Sequence, residues 1–150
     1  MGVMLRKVKT EDIALIYDWR NDPAVRKMMF NTSELPLEKH KSFWSKKIKS
    51  EDDFSFVVEY EGTPAGIARL DKKEMDGKEG YEVDILIAPE YQNRGLGSLA
   101  LQELRKIIKE KNLKNVFSRV KVNNEASRKI FEKNRFKESY IIYRYEGENE

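Results

Sequence analysis

Hydrophobic and polar residues alternate through the middle third of the chain. The stretches "FSFVVEY" (54–60) and "AGIARLD" (65–71) flank "EGTP", a cluster of turn-forming residues, which predicts an antiparallel hairpin over residues 54–71. A second turn signal, "DGK" at 76–78, precedes "GYEVDILIA", and this run predicts a strand that ends before Pro89. The two-residue period therefore indicates a sheet built from consecutive strands.

Helical spacing predominates on both sides of these strands. Residues 3–9 indicate a first strand, after which Thr10 is suited to cap a helix, and Pro36 is suited to the first turn of a second helix. A third helix begins at Gly95, and the polar, aromatic stretch between the first two helices is predicted to be a connection. The positions expected to face the core are Ile13, Ile16 and Tyr17 in the first helix, Leu37, His40, Trp44 and Ile48 in the second, and Leu101, Leu104 and Ile108 in the third.

Three further elements are predicted in the last third of the chain. These are a strand over 116–122, a short helix over about 125–133 and a last strand, "YIIYRY", over 140–145. Strands that come before, between and after helices predict a mixed α/β (α+β) fold. A length of 150 residues is typical of one domain, so residues 1–150 are predicted to form a single one.

Composition excludes several classes of function. Lys and Arg number 29 and Asp and Glu 26, a net charge of +3, with both signs interleaved along the chain, which argues against a nucleic-acid partner. The absence of cysteine excludes disulfides and thiol catalysis, and a single histidine argues against a metal site. No apolar run approaches the roughly 20 residues of a membrane span, so we expect a soluble, cytoplasmic protein with no membrane partner.

Candidate chemistry is concentrated in "QNRGLGS", where Gly95 and Gly97 stand at the start of an amphipathic helix. Glycines here allow backbone N–H groups to turn toward one point, and the helix adds its free amides and the positive end of its dipole. The pattern indicates an anion site suited to pyrophosphate; the alternative is a tight strand-to-helix turn. The P-loop is excluded because Ser98 follows Gly97, and the dinucleotide fingerprint lacks its acidic residue downstream.

This segment resembles the acetyl-CoA signature of the GNAT superfamily of N-acetyltransferases. A hydrophobic strand leads into "PEYQ", whose last residue, Gln92, is followed by Gly95 and Gly97 in the family's (Gln/Arg)-x-x-Gly-x-(Gly/Ala) pattern. Downstream, "NNEASRKIFEKNRF" is similar to the family's Asn-x-x-Ala/Ser helix, in the family's order and separation. The match covers about residues 54–145, and it implies the GNAT fold, with a mostly antiparallel central sheet flanked by helices and a splayed strand that binds acetyl-CoA.

The resemblance also implies a role for individual residues. The strand over 83–88 would pair its backbone with the pantetheine arm, the amides from Arg94 to Ser98 would hold the pyrophosphate, and Asn124 and Ser127 would contact the pantetheine and its thiol end. Arg94 would add charge at the phosphates. The cofactor-binding residues expected on this basis are Ile85, Leu86, Ile87, Gln92, Asn93, Arg94, Gly95, Leu96, Gly97, Ser98, Asn124, Ser127 and Phe131.

Two residues depart from the family pattern. Phe131 stands where family members often carry a tyrosine that protonates the leaving thiolate, and a phenyl ring cannot donate a proton. A thiol of pKa about 8.5 is nonetheless a fair leaving group near neutral pH. Arg135 replaces the usual glycine before Phe136, so the turn after the last helix is expected to be built differently.

Acetyl transfer needs a neutral amine, so a carboxylate facing the cleft is the expected base. Glu82 and Asp84 alternate with Val83 and Ile85 and therefore share one face of their strand. These two are the catalytic candidates, together with Ser127 as a hydrogen-bond donor to the sulfur. The alternative is that both acids are ordinary solvent-facing residues of the sheet.

The acceptor is expected to bind the N-terminal third, where family members diverge. The stretch "WRNDPAVRKMMFNTSELPLEKHKSFW" resembles two GNAT branches, the sugar-nucleotide N-acetyltransferases of the pseudaminic acid pathway, which is the closer, and the ribosomal-protein alanine N-acetyltransferases. In the first branch the aromatic side chains would cover sugar or base and the arginines would bind the diphosphate. The residues expected to line this pocket are Trp19, Arg20, Arg26, Met28, Phe30, His40 and Trp44. Their alternative role is core packing.

The sequence therefore predicts an acetyl-CoA-dependent N-acetyltransferase that uses no metal. Transfer would be direct, within a ternary complex, because no cysteine can carry an acetyl group. The acceptor would be a small-molecule amine, an amino sugar nucleotide, or else a protein N-terminus, and the protein would be a monomer or a homodimer. The alternatives from other classes are a catalytically silent acyl-CoA-binding module and an RNA- or ribosome-associated module, whose one-sided basic patch is not evident in the sequence.

Overall fold

The computed structural model describes residues 2–148 and has a five-stranded sheet at its centre. The strands follow one another in chain order, β1 to β5; the first four are antiparallel and β5 pairs parallel to β4. Their bounds are β1 Val3–Lys7, β2 Phe54–Tyr60, β3 Thr63–Met75, β4 Lys78–Ile87 and β5 Val116–Phe117. The mixed, mostly antiparallel sheet expected from the sequence is confirmed.

Helices cover both faces of this sheet. Their bounds are α1 Ile13–Asn21, α2 Pro23–Arg26, α3 Leu37–Lys49, α4 Leu96–Glu110 and α5 Glu125–Lys133. Because successive side chains of a strand point to opposite faces, Val57 packs with the core under α1 and α3, whereas Val58 packs with the core under α4. No helix within residues 2–148 is long and apolar enough to cross a bilayer.

The hairpin of β3 and β4 fixes the geometry of the later site. Asp76 and Gly77, at the "DGK" signal, both have positive φ and form its turn. The turn sets a register in which Arg69 lies opposite Asp84 and Asp71 opposite Glu82. Charged residues of opposite sign on adjacent strands thereby come together on one face.

Four local predictions are wrong. Thr10 does not cap α1: a short 3-10 turn precedes that helix, and the Asp12 carboxylate accepts from the Lys9 N–H at 2.7 Å. The connection after α1 contains α2, which begins where the Asp22 side chain accepts from the Ala24 N–H. The strand predicted over 116–122 ends at Phe117, and residues 140–145 pair with no strand of the described chain.

The turn after α5 keeps the backbone conformation that a glycine would have there, contrary to expectation. Arg135 lies in the left-handed region with φ of 73°, and the Phe136 N–H donates to the Phe131 carbonyl at 3.0 Å. These are features of a helix end with a left-handed residue after its C-cap. The arginine holds this conformation at a steric cost that glycine would not carry.

Replacing Arg135 with glycine should therefore stabilise the protein by about 1 kcal/mol, because the left-handed strain is relieved. Urea-induced unfolding followed by circular dichroism measures the change. The matched control is Lys133→Gly in the last turn of α5, which should destabilise by a similar amount. Loss of stability in both variants would contradict the assigned strain at Arg135.

Candidate active site

The site begins where β5 parts from β4. Only Tyr81 with Val116 and Glu82 with Phe117 are paired between these strands. One residue later, the Ser118 hydroxyl donates to the Val83 carbonyl at 2.9 Å, in place of a strand hydrogen bond. Beyond this point the outer edge of β4, from Asp84 to Ile87, faces no strand within residues 2–148. It is free to hydrogen-bond an extended ligand.

The open edge leads directly into the glycine loop. The Gln92 side chain donates to the Ile87 carbonyl at 3.0 Å and holds the loop against the end of β4. Asn93 and Gly95 both have positive φ, which turns the chain sharply before α4. The first main-chain bond of that helix runs from the Leu99 N–H to the Gly95 carbonyl, so the amides of residues 96–98 have no acceptor inside the helix. These are amides at the place where the sequence predicts an anion site, and the site itself stays a prediction.

The two glycines serve different purposes. Gly95, with φ of 77°, has open space around the position of a Cβ and is required for its conformation. A Cβ on Gly97 would lie 2.8 Å from Ile130 Cδ1, so this glycine also allows α5 to pack closely on the first turn of α4. Asn134, at the end of α5, reinforces the contact by donating to the Ser98 hydroxyl at 3.1 Å. Packing of α5 thus holds the first turn of α4 in place.

Helix α5 and its N-cap carry the other predicted cofactor residues. The Asn124 side chain accepts from the Ser127 N–H at 3.2 Å and caps the helix. Phe131 packs edge-on against Phe136, with ring centroids 5.1 Å apart, and lies against the core beneath α4. Its ring supports packing here and offers no proton.

Glu82 and Asp84 share the face of β4 that α1 and α3 overlie, as predicted. Glu82 accepts from Arg119 at 2.7 and 3.1 Å and from Lys73 at 3.0 Å. Burial alone would raise the pKa of its carboxyl, but the hydrogen bonds from Arg119 and Lys73 outweigh burial and hold that pKa below the usual 4.5. Asp84 has one ion pair, with Arg69 at 2.9 Å, and its side chain is 40% exposed against 13% for Glu82. Asp84 is the more accessible carboxylate.

Arg69 organises this acidic face, although it was not among the residues predicted from the sequence. It bridges Asp84 and, at 3.2 Å, Asp71, and its guanidinium lies over the rings of Phe43 and Trp44 at 5.2 and 5.6 Å. Burial would lower the pKa of Arg69, but the charges of the two aspartates outweigh it and raise the pKa. The sequence does contain a signal from which the role of Arg69 could have been predicted. The turn at "DGK" sets the strand register in which Arg69 lies opposite Asp84.

Three of the residues predicted to line the acceptor pocket are core residues instead. Trp19, His40 and Trp44 are 5%, 1% and 3% exposed, because α1 and α3 turn these side chains toward the sheet. His40 Nε2 donates to the Ile13 carbonyl at 2.9 Å, and burial lowers its pKa. The structure therefore does not support contact between these three residues and an acceptor.

Three of the four remaining acceptor candidates, Arg20, Arg26 and Phe30, lie near the acidic face. Arg20 Nη1 and Arg26 Nε are buried and have no hydrogen-bond partner among the described residues. Burial, together with the like charge of Arg26, lowers the pKa of Arg20, while the charge of Asp84 acts in the opposite direction. Phe30 is exposed and its ring lies 5.3 Å from the Arg119 guanidinium; Met28 is also exposed. Two desolvated cations and the exposed ring of Phe30 thus lie near the carboxylates.

Comparison with known proteins identifies the family. Residues 3–137 match the acetyltransferase (GNAT) domain family. The chain belongs to this family. Spermidine N(1)-acetyltransferase of Escherichia coli K12 is 28% identical over 99 residues, which are 66% of this chain and 53% of that enzyme. The chain thus spans about half the length of the curated relatives it matches.

Solved structures confirm the GNAT fold. Spermidine N-acetyltransferase from Vibrio cholerae, in complex with CoA and spermine, has a TM-score of 0.80 and 22% identity, covering 93% of this chain and 83% of that one. Ribosomal-protein-alanine N-acetyltransferase from Brucella melitensis has a TM-score of 0.78 and 18% identity, covering 91% of this chain and 86% of that one. At these identities the likeness concerns the fold.

The ion pairs of Glu82 predict how this GNAT domain responds to acid. A carboxyl whose pKa is lowered by folding contributes stability above its unfolded pKa of about 4.3, and that contribution is lost as pH falls toward the folded pKa. Glu82→Gln should therefore reduce the free energy of unfolding most near pH 7, and the difference from the wild type should shrink below about pH 4. Urea titrations at several pH values measure this difference.

The matched control is Glu132→Gln on the exposed side of α5, which should leave the profile close to that of the wild type. A difference between the Glu82 variant and the wild type that stays constant from pH 7 to acid would show that the pairs with Arg119 and Lys73 do not set this pKa.

Proposed function

We propose that the chain is an acetyl-CoA-dependent N-acetyltransferase that moves the acetyl group directly to a primary amine within a ternary complex. The observation that carries this proposal is the unpaired outer edge of β4, which runs into the free amides at the start of α4. An extended chain ending in a pyrophosphate matches that shape and chemistry. Membership of the GNAT family supports the same activity. Without cysteine, no acetyl-cysteine intermediate can form.

The two parts of the open edge would bind different parts of acetyl-CoA. Main-chain groups of Ile85 to Ile87 would pair with the pantetheine arm, as a strand pairs with its neighbour. The amides from Arg94 to Ser98 would hold the pyrophosphate, and the Arg94 guanidinium, now over the Tyr91 ring at 5.3 Å, would add positive charge. Asn124 and Ser127 would lie beside the thiol end.

The proposed reaction is attack by a neutral amine nitrogen on the thioester carbonyl carbon. The C–N bond forms, the C–S bond breaks, and the sulfur leaves as thiolate, with the Ser127 hydroxyl as a hydrogen-bond donor. The ammonium form loses one proton to Asp84 or to water before it attacks. The nitrogen loses a second proton as the amide forms, and this proton goes to water or to the departing thiolate. Asp84 is preferred over Glu82 because it has one ion pair instead of two and is more exposed.

We further propose that the acceptor is an amino sugar nucleotide whose diphosphate lies between Arg20 and Arg26. Buried guanidinium N–H groups without partners are costly, and a phosphate oxygen would satisfy them. An anion would also offset the burial and the like charge of Arg26 that together lower the pKa of Arg20. Met28 and Phe30 would cover the sugar or base. A polyamine, in contrast, would bring positive charge toward two cations that have no free counter-ion among the described residues.

Thiol release from acetyl-CoA with a panel of amines tests the activity and the acceptor together. The panel holds an amino sugar nucleotide, the same amino sugar without its nucleotide, spermidine and a peptide with N-terminal alanine. We expect the highest kcat/KM for the amino sugar nucleotide. Preference for spermidine or the peptide would contradict the proposed acceptor. Absence of thiol release with every amine would contradict the proposed activity and favour a catalytically silent acyl-CoA-binding module.

Variants at the two arginines make the acceptor test specific. Arg20→Gln and Arg26→Gln should each raise KM for the sugar nucleotide about 10-fold, the effect of losing one charge-assisted contact, with little change in kcat. Arg105→Gln on α4 is the matched control and should leave KM unchanged. Unchanged KM in all three variants would contradict the proposal that the diphosphate binds between Arg20 and Arg26.

Asp84 and Glu82 provide a matched pair for the base. Asp84→Asn should lower kcat about 100-fold, the usual scale of general-base loss, and Glu82→Gln should lower it less because that carboxylate is already held by Arg119 and Lys73. Steady-state kinetics at saturating substrate, on variants whose folding is checked by circular dichroism, measures both. A small effect of both changes would favour deprotonation by solvent.

A further inference from the structure

The connection between α2 and α3, residues 27–35, has little structure of its own; we call it the acceptor loop because it carries Met28 and Phe30. Within residues 2–148, the main-chain groups of residues 30–35 make no hydrogen bond to another main-chain group. Residues 31–34 are also exposed, so core packing does not hold them. The conformation of the acceptor loop therefore depends on side chains that reach it from other elements.

Asn21, the last residue of α1, holds the far end of the acceptor loop. Its side-chain amide donates to the Leu35 carbonyl at 3.1 Å, and its side-chain carbonyl accepts from the Leu35 N–H at 2.9 Å. The two bonds satisfy the donor and the acceptor of one residue, as a paired strand does. Because α1 is packed on the sheet through Ile16 and Trp19, this side chain ties the loop to the core.

The other contacts of the acceptor loop are weaker. Arg20 Nη2 donates to the Asn31 carbonyl at 3.3 Å, and Lys121 Nζ donates to the Lys27 carbonyl at 3.4 Å. Both bonds are long and exposed, so water competes with them, whereas the two bonds of Asn21 are partly buried. The pair at Leu35 is thus the firmest attachment of residues 30–35.

We propose that Asn21 is a positioning residue for the acceptor amine, and this inference rests on the proposed function. By fixing Leu35 it keeps the acceptor loop, and with it Phe30, close to the acidic face. Arg20, the adjacent residue of α1, is the proposed ligand of the diphosphate. One turn of α1 therefore sets the position of both the diphosphate and the loop that covers the sugar or base.

Loss of this anchor would affect acceptor binding and leave the chemical step largely intact. Without the two bonds at Leu35, the acceptor would have to order residues 30–35 as it binds, and that ordering reduces affinity. At saturating acceptor the loop is ordered again, so kcat is retained. Acetyl-CoA, proposed to bind along the outer edge of β4, makes no use of the loop.

Steady-state kinetics with an amino sugar nucleotide tests this role. Asn21→Ala should raise KM for the acceptor about 10-fold, with kcat and KM for acetyl-CoA nearly unchanged. The matched control is Ser50→Ala, which removes a side-chain bond to the Asp52 N–H in the loop after α3 and should leave both KM values unchanged. An unchanged KM for the acceptor in Asn21→Ala, or an equal rise in both KM values, would overturn the proposal.

Hydrogen–deuterium exchange tests the anchor without any acetyl transfer. In Asn21→Ala, with folding checked by circular dichroism, the Leu35 amide should exchange about 10-fold faster than in the wild type. Exchange at the wild-type rate would overturn the anchor. A wild type that does not acetylate the amino sugar nucleotide, although its loop exchange depends on Asn21, would contradict the proposed function and with it the acceptor role of Asn21.

Discussion

The parting of β4 and β5 after Glu82 is the constraint on which the rest of the site depends. A strand paired along its whole length has no free main-chain groups, so an extended ligand can add to β4 only if β5 leaves it. Two contacts fix the point at which β5 leaves β4. The Ser118 hydroxyl donates to the Val83 carbonyl, and the Arg119 guanidinium donates to the Glu82 carboxylate. Beyond this point β4 has no strand of residues 2–148 on its outer side, and the Asp84 side chain is 40% exposed. The free edge of β4, proposed to bind the cofactor, and the accessibility of Asp84, proposed as the base, thus have one structural origin.

The electrostatics of the acceptor face follow from a buried cation. Arg69 lies under Phe43 and Trp44 and binds Asp71 and Asp84, while Lys47 links Asp71 to Asp53 at 3.0 and 3.2 Å. Removing one member of such a network would leave a buried charge uncompensated. The network therefore fixes the position of Asp84. Within residues 2–148 it also leaves Arg20 and Arg26 without a carboxylate of their own, which is why an anionic acceptor is the chemistry we propose for this face.

Much of this arrangement could be predicted from the sequence, because local signals decided it. The turn at "DGK" sets the β3–β4 register, and the helix start at Gly95 places the free amides. Predictions failed where long-range packing decides: Trp19, His40 and Trp44 have the composition of a binding pocket, yet they fill the core under α3. Residues 140–145 have strand propensity, but a strand also needs a partner edge, which no local pattern supplies. Arg135 took the glycine conformation because the contacts of α5 dictated the turn.

The proposed chemistry depends more on positioning than on strong acids and bases. Phe131 cannot protonate the thiolate, and the hydrogen bonds from Arg119 and Lys73 outweigh burial and lower the pKa of Glu82, which makes that carboxylate a weaker base. Neither deficit is severe, since an amine of pKa about 8 is roughly one-tenth neutral at pH 7, a cost of about 1.4 kcal/mol. Holding two reactants in attack geometry can lower the barrier by about 7 to 11 kcal/mol. An acceptor anchored by its anion at Arg20 and Arg26, and a thioester anchored along β4, would be held in that geometry. The ion-paired face between them would therefore contribute chiefly by positioning the two reactants, with Asp84 as the acceptor of the proton from the ammonium form.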